Sequence, residues 1–328
     1  MSHDAPCLFA MQASHAWGEA VAAQLGTELS PHEERLFEDG EHKTRPLASV
    51  RGRDVFVLQS LHGDSTQGVN DKLCRLLFFI GALKDASAGS VTAVVPYMPY
   101  GRKDRKTKVR DPVTTRYVAT LFEAVGTDRV VTLDVHNLAA YQNAFRCRTE
   151  HLEAAGMLAR HFATHLGNRP AVVVAPGAAD SKRIEQFRRR LSSVLRRPVG
   201  AAFADEARGD METGGELIVG DVAGRCVIVI DDRIGTGTTL ARTARACRAQ
   251  GAAEVHAAAT HGLFVGSAPD LLADDAVDSI VITDTVPPFR LPAGPVRDKL
   301  RVLPTAALFA AAISRMHTDA SLTELLEG

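Results

Sequence analysis

The stretch Cys226-Val-Ile-Val-Ile-Asp-Asp-Arg-Ile-Gly-Thr-Gly-Thr-Thr-Leu240 decides how the rest of the chain is read. Cys226–Ile230 is apolar and mostly β-branched, the pattern of a parallel strand buried on both faces. Two carboxylates, Asp231 and Asp232, are expected at the end of that strand. A turn of glycines and threonines follows, with a helical pattern beginning near Leu240. Such a turn offers backbone N–H groups and hydroxyls to an anion at a helix N-terminus. Gly235, Thr236, Gly237, Thr238 and Thr239 are therefore candidate phosphate contacts. The adjacent acids suit vicinal hydroxyls, which they can bind directly or through Mg²⁺. Acids beside an amide-lined turn make the layout of a ribose 5-phosphate site. Two other readings stand beside it. One is a dinucleotide fingerprint, in which Leu240 takes the place of the third glycine and the acids repel a pyrophosphate. The other is an ordinary strand-to-helix turn with no ligand.

Bulk properties narrow the classes. The chain has 328 residues, enough for two domains, with 45% hydrophobic and 23% charged residues and a formal net charge of −1. That balance supplies no field to draw it onto nucleic acid or a membrane. No apolar run approaches the roughly 20 residues of a membrane span. The first residues lack the basic and apolar regions of a secretory signal. The five cysteines (Cys7, Cys74, Cys147, Cys226, Cys247) are scattered without zinc spacing, which fits reduced thiols and a cytoplasmic location.

Strand-like runs at Val55–Gln59, Val91–Val95, Val130–Leu133, Ala171–Ala175, Val227–Ile230 and Ser279–Ile282 alternate with helical spacings at Asp71–Lys84, Thr114–Val125 and Leu152–His165. The alternation predicts an α/β protein with parallel sheets flanked by helices. It falls into two halves, 1–150 and 151–303, and a terminal helix over 304–316 is able to return to the first. The polar segment Ala204–Gly215, with three glycines, is the expected mobile loop.

Three further stretches carry chemistry. Gly101–Arg110 holds Arg102, Lys103, Asp104, Arg105, Lys106, Lys108 and Arg110 behind Tyr97 and Tyr100. It reads as a cradle for nucleotide phosphates or as a solvated basic loop. Asp134 and His136 follow a strand, where alternation puts them on one face as possible metal ligands or as structural groups. Phe37, Asp39 and Glu41 offer an aromatic face and acids on a turn, suited to an adenine or simply to anchoring the turn. No Gly-Lys pair occurs, which excludes a Walker A loop.

Phe-Glu-Asp-Gly-Glu (37–41), Val-Pro-Tyr-Met-Pro-Tyr-Gly-Arg-Lys-Asp-Arg-Lys (95–106), Asp-Val-His (134–136), Ile-Val-Gly-Asp-Val (218–222), Ile-Asp-Asp (230–232), Ala-Thr-His (259–261) and Thr-Asp-Thr-Val-Pro (283–287) occur in this order. In that order they resemble the ribose-phosphate diphosphokinase, or phosphoribosyl pyrophosphate (PRPP) synthetase, family. The resemblance implies two tandem phosphoribosyltransferase-type domains, the first binding ATP and the second ribose phosphate. It implies a homo-oligomer built from dimers, and transfer of the diphosphoryl group of Mg-ATP to O1 of ribose 5-phosphate. By position it assigns Phe37, Asp39 and Glu41 to adenine across a subunit boundary. Arg102, Lys103, Asp104 and Arg105 fall to the ATP phosphates, His136 to Mg²⁺, Asp231 and Asp232 to the ribose hydroxyls, and Gly235–Thr239 to the 5-phosphate.

Four positions depart from the family pattern. Asp205-Glu206-Ala207-Arg208 stands where the family carries Lys-Arg-Arg, so the catalytic lysine is replaced by Glu206 and Arg208 is the remaining catalytic cation. Gly177 replaces a metal-binding aspartate, with Asp180 as a substitute. Gly235 opens the phosphate turn in place of aspartate, and Lys103 replaces a glutamine. The departures leave three expectations: an active synthetase, an impaired paralogue serving as a regulatory subunit of a mixed oligomer, or an enzyme with another phosphosugar acceptor.

Overall fold

The structure, a computed structural model, describes residues 5–177, 181–205 and 217–327. The chain divides into two compact units, Met1–Leu152 with Thr305–Gly328, and Glu153–Pro304.

In the first unit, β1 (Cys7–Ala10) leads into helix α1 (His15–Leu25) and then an antiparallel ribbon of β2 (His32–Leu36) and β3 (His42–Pro46). The chain continues through β4 (Asp54–Leu58), α2 (Val69–Asp85), β5 (Ser90–Val94), α3 (Thr114–Ala124), β6 (Arg129–Leu133), α4 (Leu138–Ala144) and β7 (Arg148–Leu152). The five strands outside the ribbon form a wholly parallel sheet in the order β1-β4-β5-β6-β7. Alternate residues Phe9, Val55, Val57, Val91, Ala93 and Val130 face one core with Leu76, Ile80 and Phe122 of the helices. Every crossover moves the same way across this sheet, so its strand order never reverses.

The second unit begins with α5 (Ala155–Leu166), β8 (Ala171–Ala175), α6 (Ser181–Leu195), β9 (Gly200–Asp205) and β10 (Leu217–Val219). It continues with β11 (Cys226–Ile234), α7 (Thr238–Ala249), β12 (Glu254–Gly262), α8 (Ala268–Leu272), β13 (Ser279–Thr283), α9 (Pro295–Lys299) and β14 (Leu300–Leu303). The sheet order is β10-β9-β8-β11-β12-β13-β14, parallel except for the β10–β9 pair. Buried Leu240, Ala241, Ala244 and Cys247 hold α7 on the sheet, while Arg245 and Arg248 of the same helix reach Asp274 and Asp278. Helix α10 (Ala306–His317) belongs to the first unit, followed by α11 (Thr323–Glu327). There α10 packs on α1: the Trp17 indole donates to Thr305 Oγ1 at 3.0 Å and meets the Phe309 ring edge-on.

All six strands read from the sequence are present, with boundary shifts. Leu152 ends β7 instead of starting a helix, and α5 begins at Ala155. The larger correction concerns β11, which runs on to Ile234, so Asp231 and Asp232 lie within the strand and not beyond its end. Pairing with β12 continues to Ile234 opposite Gly262, which supplies backbone partners that keep the polar residues extended. Helix α7 starts at Thr238, two residues before Leu240. Strand alternation stops at Leu133, because Asp134 takes a left-handed conformation (φ +43°). Asp134 and His136 therefore do not share a face by strand alternation. Among the described residues no helix is long and apolar enough to cross a membrane.

Candidate active site

The second sheet reverses its winding between β8 and β11. From β8 the chain crosses to β9 on one side, and from β11 it crosses to β12 on the other. A crevice opens beyond the carboxyl ends of strands at such a reversal, and ligands of open α/β sheets bind there. Pairing between β8 and β11 ends with Val174 opposite Val229. The last five residues of β11 therefore pair only toward β12, leaving the crevice side of Asp231 and Asp232 clear of β8. Asp231 is half-buried and Asp232 buried. Asp231 Oδ1 accepts the N–H of Asp232 at 2.7 Å. Helix α6 sends Arg183 to the pair, its Nη1 3.3 Å from Asp232 Oδ1 and 4.0 Å from Asp231 Oδ1. Three side chains continue the polar layer, from β12, the end of β13 and the residues just past it: His261 Nδ1 lies 2.8 Å from Thr285 Oγ1, and Thr283 Oγ1 donates to the Thr260 carbonyl at 2.6 Å.

The turn after β11 is pinned from behind. Leu263 and Phe264 donate to the Ile234 carbonyl, and Val265 donates to that of Gly235. Thr236, Thr238 and Thr239 are exposed, with the Thr236 and Thr238 hydroxyls 3.0 Å apart. Gly237 caps α7 in a left-handed conformation (φ +77°), and a Cβ there would stand 3.0 Å from the Leu272 side chain. The N–H groups of the first turn of α7 have no partner within the helix. Gly237→Ala is expected to cost about 1–3 kcal/mol through backbone strain and contact with Leu272. Thermal unfolding reads that loss, and a parallel phosphate titration reads the distortion of the turn. By contrast, a Cβ at Gly177 or Gly235 meets open space. Neither crowding nor a left-handed backbone demands glycine at those two positions.

In the first unit, the basic segment follows β5. Thr115, at the start of α3, donates its hydroxyl to the carbonyls of Tyr100 and Lys103. At the far end Asp111 Oδ2 accepts from the N–H and hydroxyl of Thr107 and from the N–H of Lys108. Those Thr107 and Lys108 bonds hold the Asp111 carboxyl below its ordinary value. Arg102, Lys103 and Arg105 project from a loop tied down at both ends. The segment after β6 is fixed by β7, with Asp134 N–H on the Leu152 carbonyl and Val135 N–H on His151 Nε2 at 3.2 Å. The two segments meet: Asn137 Nδ2 donates to Asp104 at 2.7 Å, and a Cβ on Gly101 would lie 3.9 Å from that of His136. The structure thus brings Asp104 and His136 into one neighbourhood from residues about thirty positions apart.

Phe37, Asp39 and Glu41 form the tip of the β2–β3 ribbon. Phe37 and Glu41 close the turn by a backbone bond of 2.8 Å, Glu41 N–H donates to Asp39, and the Arg35 guanidinium lies 4.9 Å from the Phe37 ring centre. Arg208, Glu206 and Asp180 lie outside the described residues, as does most of Ala204–Gly215. Sequence reasoning missed Asn137 and the Thr115 anchor. The proximity of Arg183 to the acids follows from strand order, not from sequence spacing.

Comparison with known proteins bears on these arrangements. Residues 6–126 match a family model described as the N-terminal domain of ribose phosphate pyrophosphokinase. Residues 211–327 match one described as the phosphoribosyl synthetase-associated domain. The chain is 39% identical over 306 residues to a ribose-phosphate pyrophosphokinase of Caldanaerobacter subterraneus subsp. tengcongensis, covering 93% of this chain and 92% of that one. It is 35% identical over 329 residues to ribose-phosphate pyrophosphokinase 1 of Streptococcus pyogenes serotype M1, covering 100% of this chain and 99% of that one. The crystal structure of phosphoribosylpyrophosphate synthetase from Mycobacterium smegmatis superposes with a TM-score of 0.85 at 33% identity, across 97% of this chain and 100% of that one. With full-length similarity to these enzymes and the same fold, the chain belongs to the ribose-phosphate pyrophosphokinase family.

Proposed function

We propose that this protein transfers the β,γ-diphosphoryl group of Mg-ATP to O1 of ribose 5-phosphate, giving PRPP and AMP. The observation that supports it most is the acid pair on the open edge of β11 beside the pinned turn at the start of α7. In this reading Asp231 and Asp232 hold the ribose hydroxyls, and the amides and hydroxyls of Gly235–Thr239 hold the 5-phosphate. Arg102, Lys103 and Arg105, with Asp104 between them, hold the ATP phosphates, and Phe37, Asp39 and Glu41 hold the adenine. The sugar O1 loses its proton as its bond to the β-phosphorus forms, and the bond from that phosphorus to the α-phosphate oxygen breaks, releasing AMP. Such a transfer depends on alignment and charge neutralisation, not on a covalent enzyme intermediate.

The residues present fit Mg²⁺ in kind. Asp231 and Asp232 offer the oxygen donors that a hard cation takes, and His136 stands beside the basic loop. Bound there, the ion would neutralise diphosphate oxygens. The proposed assembly is a homo-oligomer built from dimers, and the proposed compartment is the cytoplasm.

A second reading rests on Glu206 and Gly177. An anion where the family has a lysine faces developing phosphoryl charge, and loss of one such stabiliser costs roughly 3–4 kcal/mol by analogy with oxyanion donors. That reading is an impaired paralogue acting within a mixed oligomer; a changed phosphosugar acceptor is its variant. Purified protein supplied with Mg-ATP and ribose 5-phosphate separates the readings. Steady formation of AMP and PRPP supports the synthetase, and AMP formed only with another phosphosugar supports the changed acceptor. Absent turnover supports the paralogue. Glu206→Lys is expected to raise turnover by roughly 100-fold, and a Cβ added at Gly177 meets nothing within 4 Å. Turnover unmoved by Glu206→Lys in an active enzyme would remove that position from the catalytic loop.

A further inference from the structure

A second constellation lies at the amino ends of the strands in the second unit. Glu254 is the first residue of β12, His256 the third, and His165 lies near the end of α5. One ligand atom from each of the three lies within 4.8 Å of the others. His256 Nε2 is 3.1 Å from Glu254 Oε2, and His165 Nε2 is 4.0 Å from the same oxygen. Cys226, which starts β11, adds its sulfur 3.2 Å from His256 Nε2 and 3.5 Å from Glu254 Oε2. The acid pair sits five and six residues further along β11, about 17–20 Å away at the rise of a strand. This group is therefore separate from the proposed active site.

We propose that His165, Glu254, His256 and Cys226 bind one Zn²⁺ ion that ties the starts of β11 and β12 to helix α5.

Two nitrogens, a carboxylate oxygen and a sulfur form a donor set that Zn²⁺ takes in tetrahedral geometry, and one that Mg²⁺ disfavours. The surrounding groups orient these donors as outer partners of a metal site do. Ser279 Oγ lies 2.8 Å from His256 Nδ1, and a proton held on Nδ1 turns the Nε2 lone pair toward Cys226 and Glu254. Arg169 engages Glu254 Oε1, leaving Oε2 toward the histidines. With that tautomer, lone pairs of nitrogen, oxygen and sulfur converge, and the single thiol proton can serve only one pair. A cation serves all of them. His256 is buried and His165 exposed, so one side chain is preorganised and the other gives an entry path. His165 Nε2, 4.0 Å from Glu254 Oε2, is the ligand that binding must draw inward. Burial, reinforced by Glu254, pushes the Cys226 thiol up to about 12. Zinc binding releases that proton to solvent as the metal–sulfur bond forms.

The test uses full-length protein stripped with a chelator and kept in excess Mg²⁺ to occupy carboxylate sites elsewhere. Titration with Co²⁺ is expected to saturate at one equivalent and to give a thiolate-to-cobalt charge-transfer band that Zn²⁺ abolishes. The band is expected to vanish in Cys226→Ser and to persist in Cys147→Ser. His165→Ala, at a surface position, is expected to keep the circular dichroism spectrum of wild type and to weaken Zn²⁺ binding at least about tenfold. Zn²⁺ at about 100 times its Kd is expected to raise the thermal midpoint of wild type by about 5–10 °C. A cobalt complex without the sulfur band overturns the proposal. So does Zn²⁺ affinity in His165→Ala equal to that of wild type.

Discussion

Asp232→Asn is expected to weaken ribose 5-phosphate binding by roughly 10–100-fold, the loss of one or two hydrogen bonds to a charged acceptor. Asp232 is the more buried of the two acids and the nearer to Arg183. Its carboxylate is the more desolvated acceptor in the crevice. The double variant with Asp231→Asn is expected to lose more, but less than the product of the two single effects, because neighbouring groups in one network do not act additively. Calorimetric titration of ribose 5-phosphate measures both. Arg183→Gln is the control. It removes the ion pair without touching the proposed sugar contacts, and is expected to change affinity by only a few fold. If Arg183→Gln matched Asp232→Asn, the acids would be holding the helix and not the sugar. Unchanged affinity in Asp232→Asn would remove the crevice assignment altogether.

The largest stability effect is expected in the first unit, at Asp64. Lys72 on α2 is buried, and its ammonium lies 2.5 Å from Asp64 Oδ2 in the loop after β4. Asp64 Oδ1 also accepts from the N–H and hydroxyl of Thr66 and from the N–H of Gln67. Asp64→Ala leaves a buried ammonium without its counter-charge, at a cost of about 3–5 kcal/mol. Thermal unfolding of the unit is expected to move down by about 10 °C. Lys72→Met is expected to cost less, because the carboxylate keeps its three other hydrogen bonds. Acid reads the same pair. Burial alone would raise the Asp64 carboxyl, but the bonds from Lys72, Thr66 and Gln67 outweigh it and hold the group far below its ordinary value. A depressed carboxyl contributes stability that is complete above its unfolded value and is lost as pH falls toward its folded value. Wild type is therefore expected to lose stability progressively below about pH 5, and Asp64→Ala to lose less over that range. Equal acid slopes would show that the pair does not carry this linkage.

Elements with a strong local signature were legible in the chain. The β-branched runs of β4, β5, β6, β8, β11 and β13 are buried on both faces, and a parallel sheet needs such runs. The β2–β3 ribbon was not, because His-Glu-Glu-Arg-Leu and His-Lys-Thr-Arg-Pro carry neither an apolar face nor a tight two-residue turn. Strand β12 was missed for the opposite reason. Its Ala-Ala-Ala-Thr core has a helical propensity, and only flanking strands that supply both ladders override it. Charge misled at Asp231 and Asp232. Polar residues suggest the end of a strand, yet continued pairing to β12 keeps them in it.

By itself the sequence determined the α/β class, the pairing of acids with a phosphate-type turn, the basic loop and the family. Each of these is written in neighbouring residues, where propensity, patterning and turn chemistry act over a few positions. Only the tertiary structure decided that the sheet reverses between β8 and β11, that Arg183 meets the acids there, that Asp104 meets Asn137 and Gly101 nears His136, and that Cys226, Glu254, His256 and His165 converge at the other end of the same strands. Strand order and crossovers join residues tens of positions apart, and no local pattern encodes which edges they leave open.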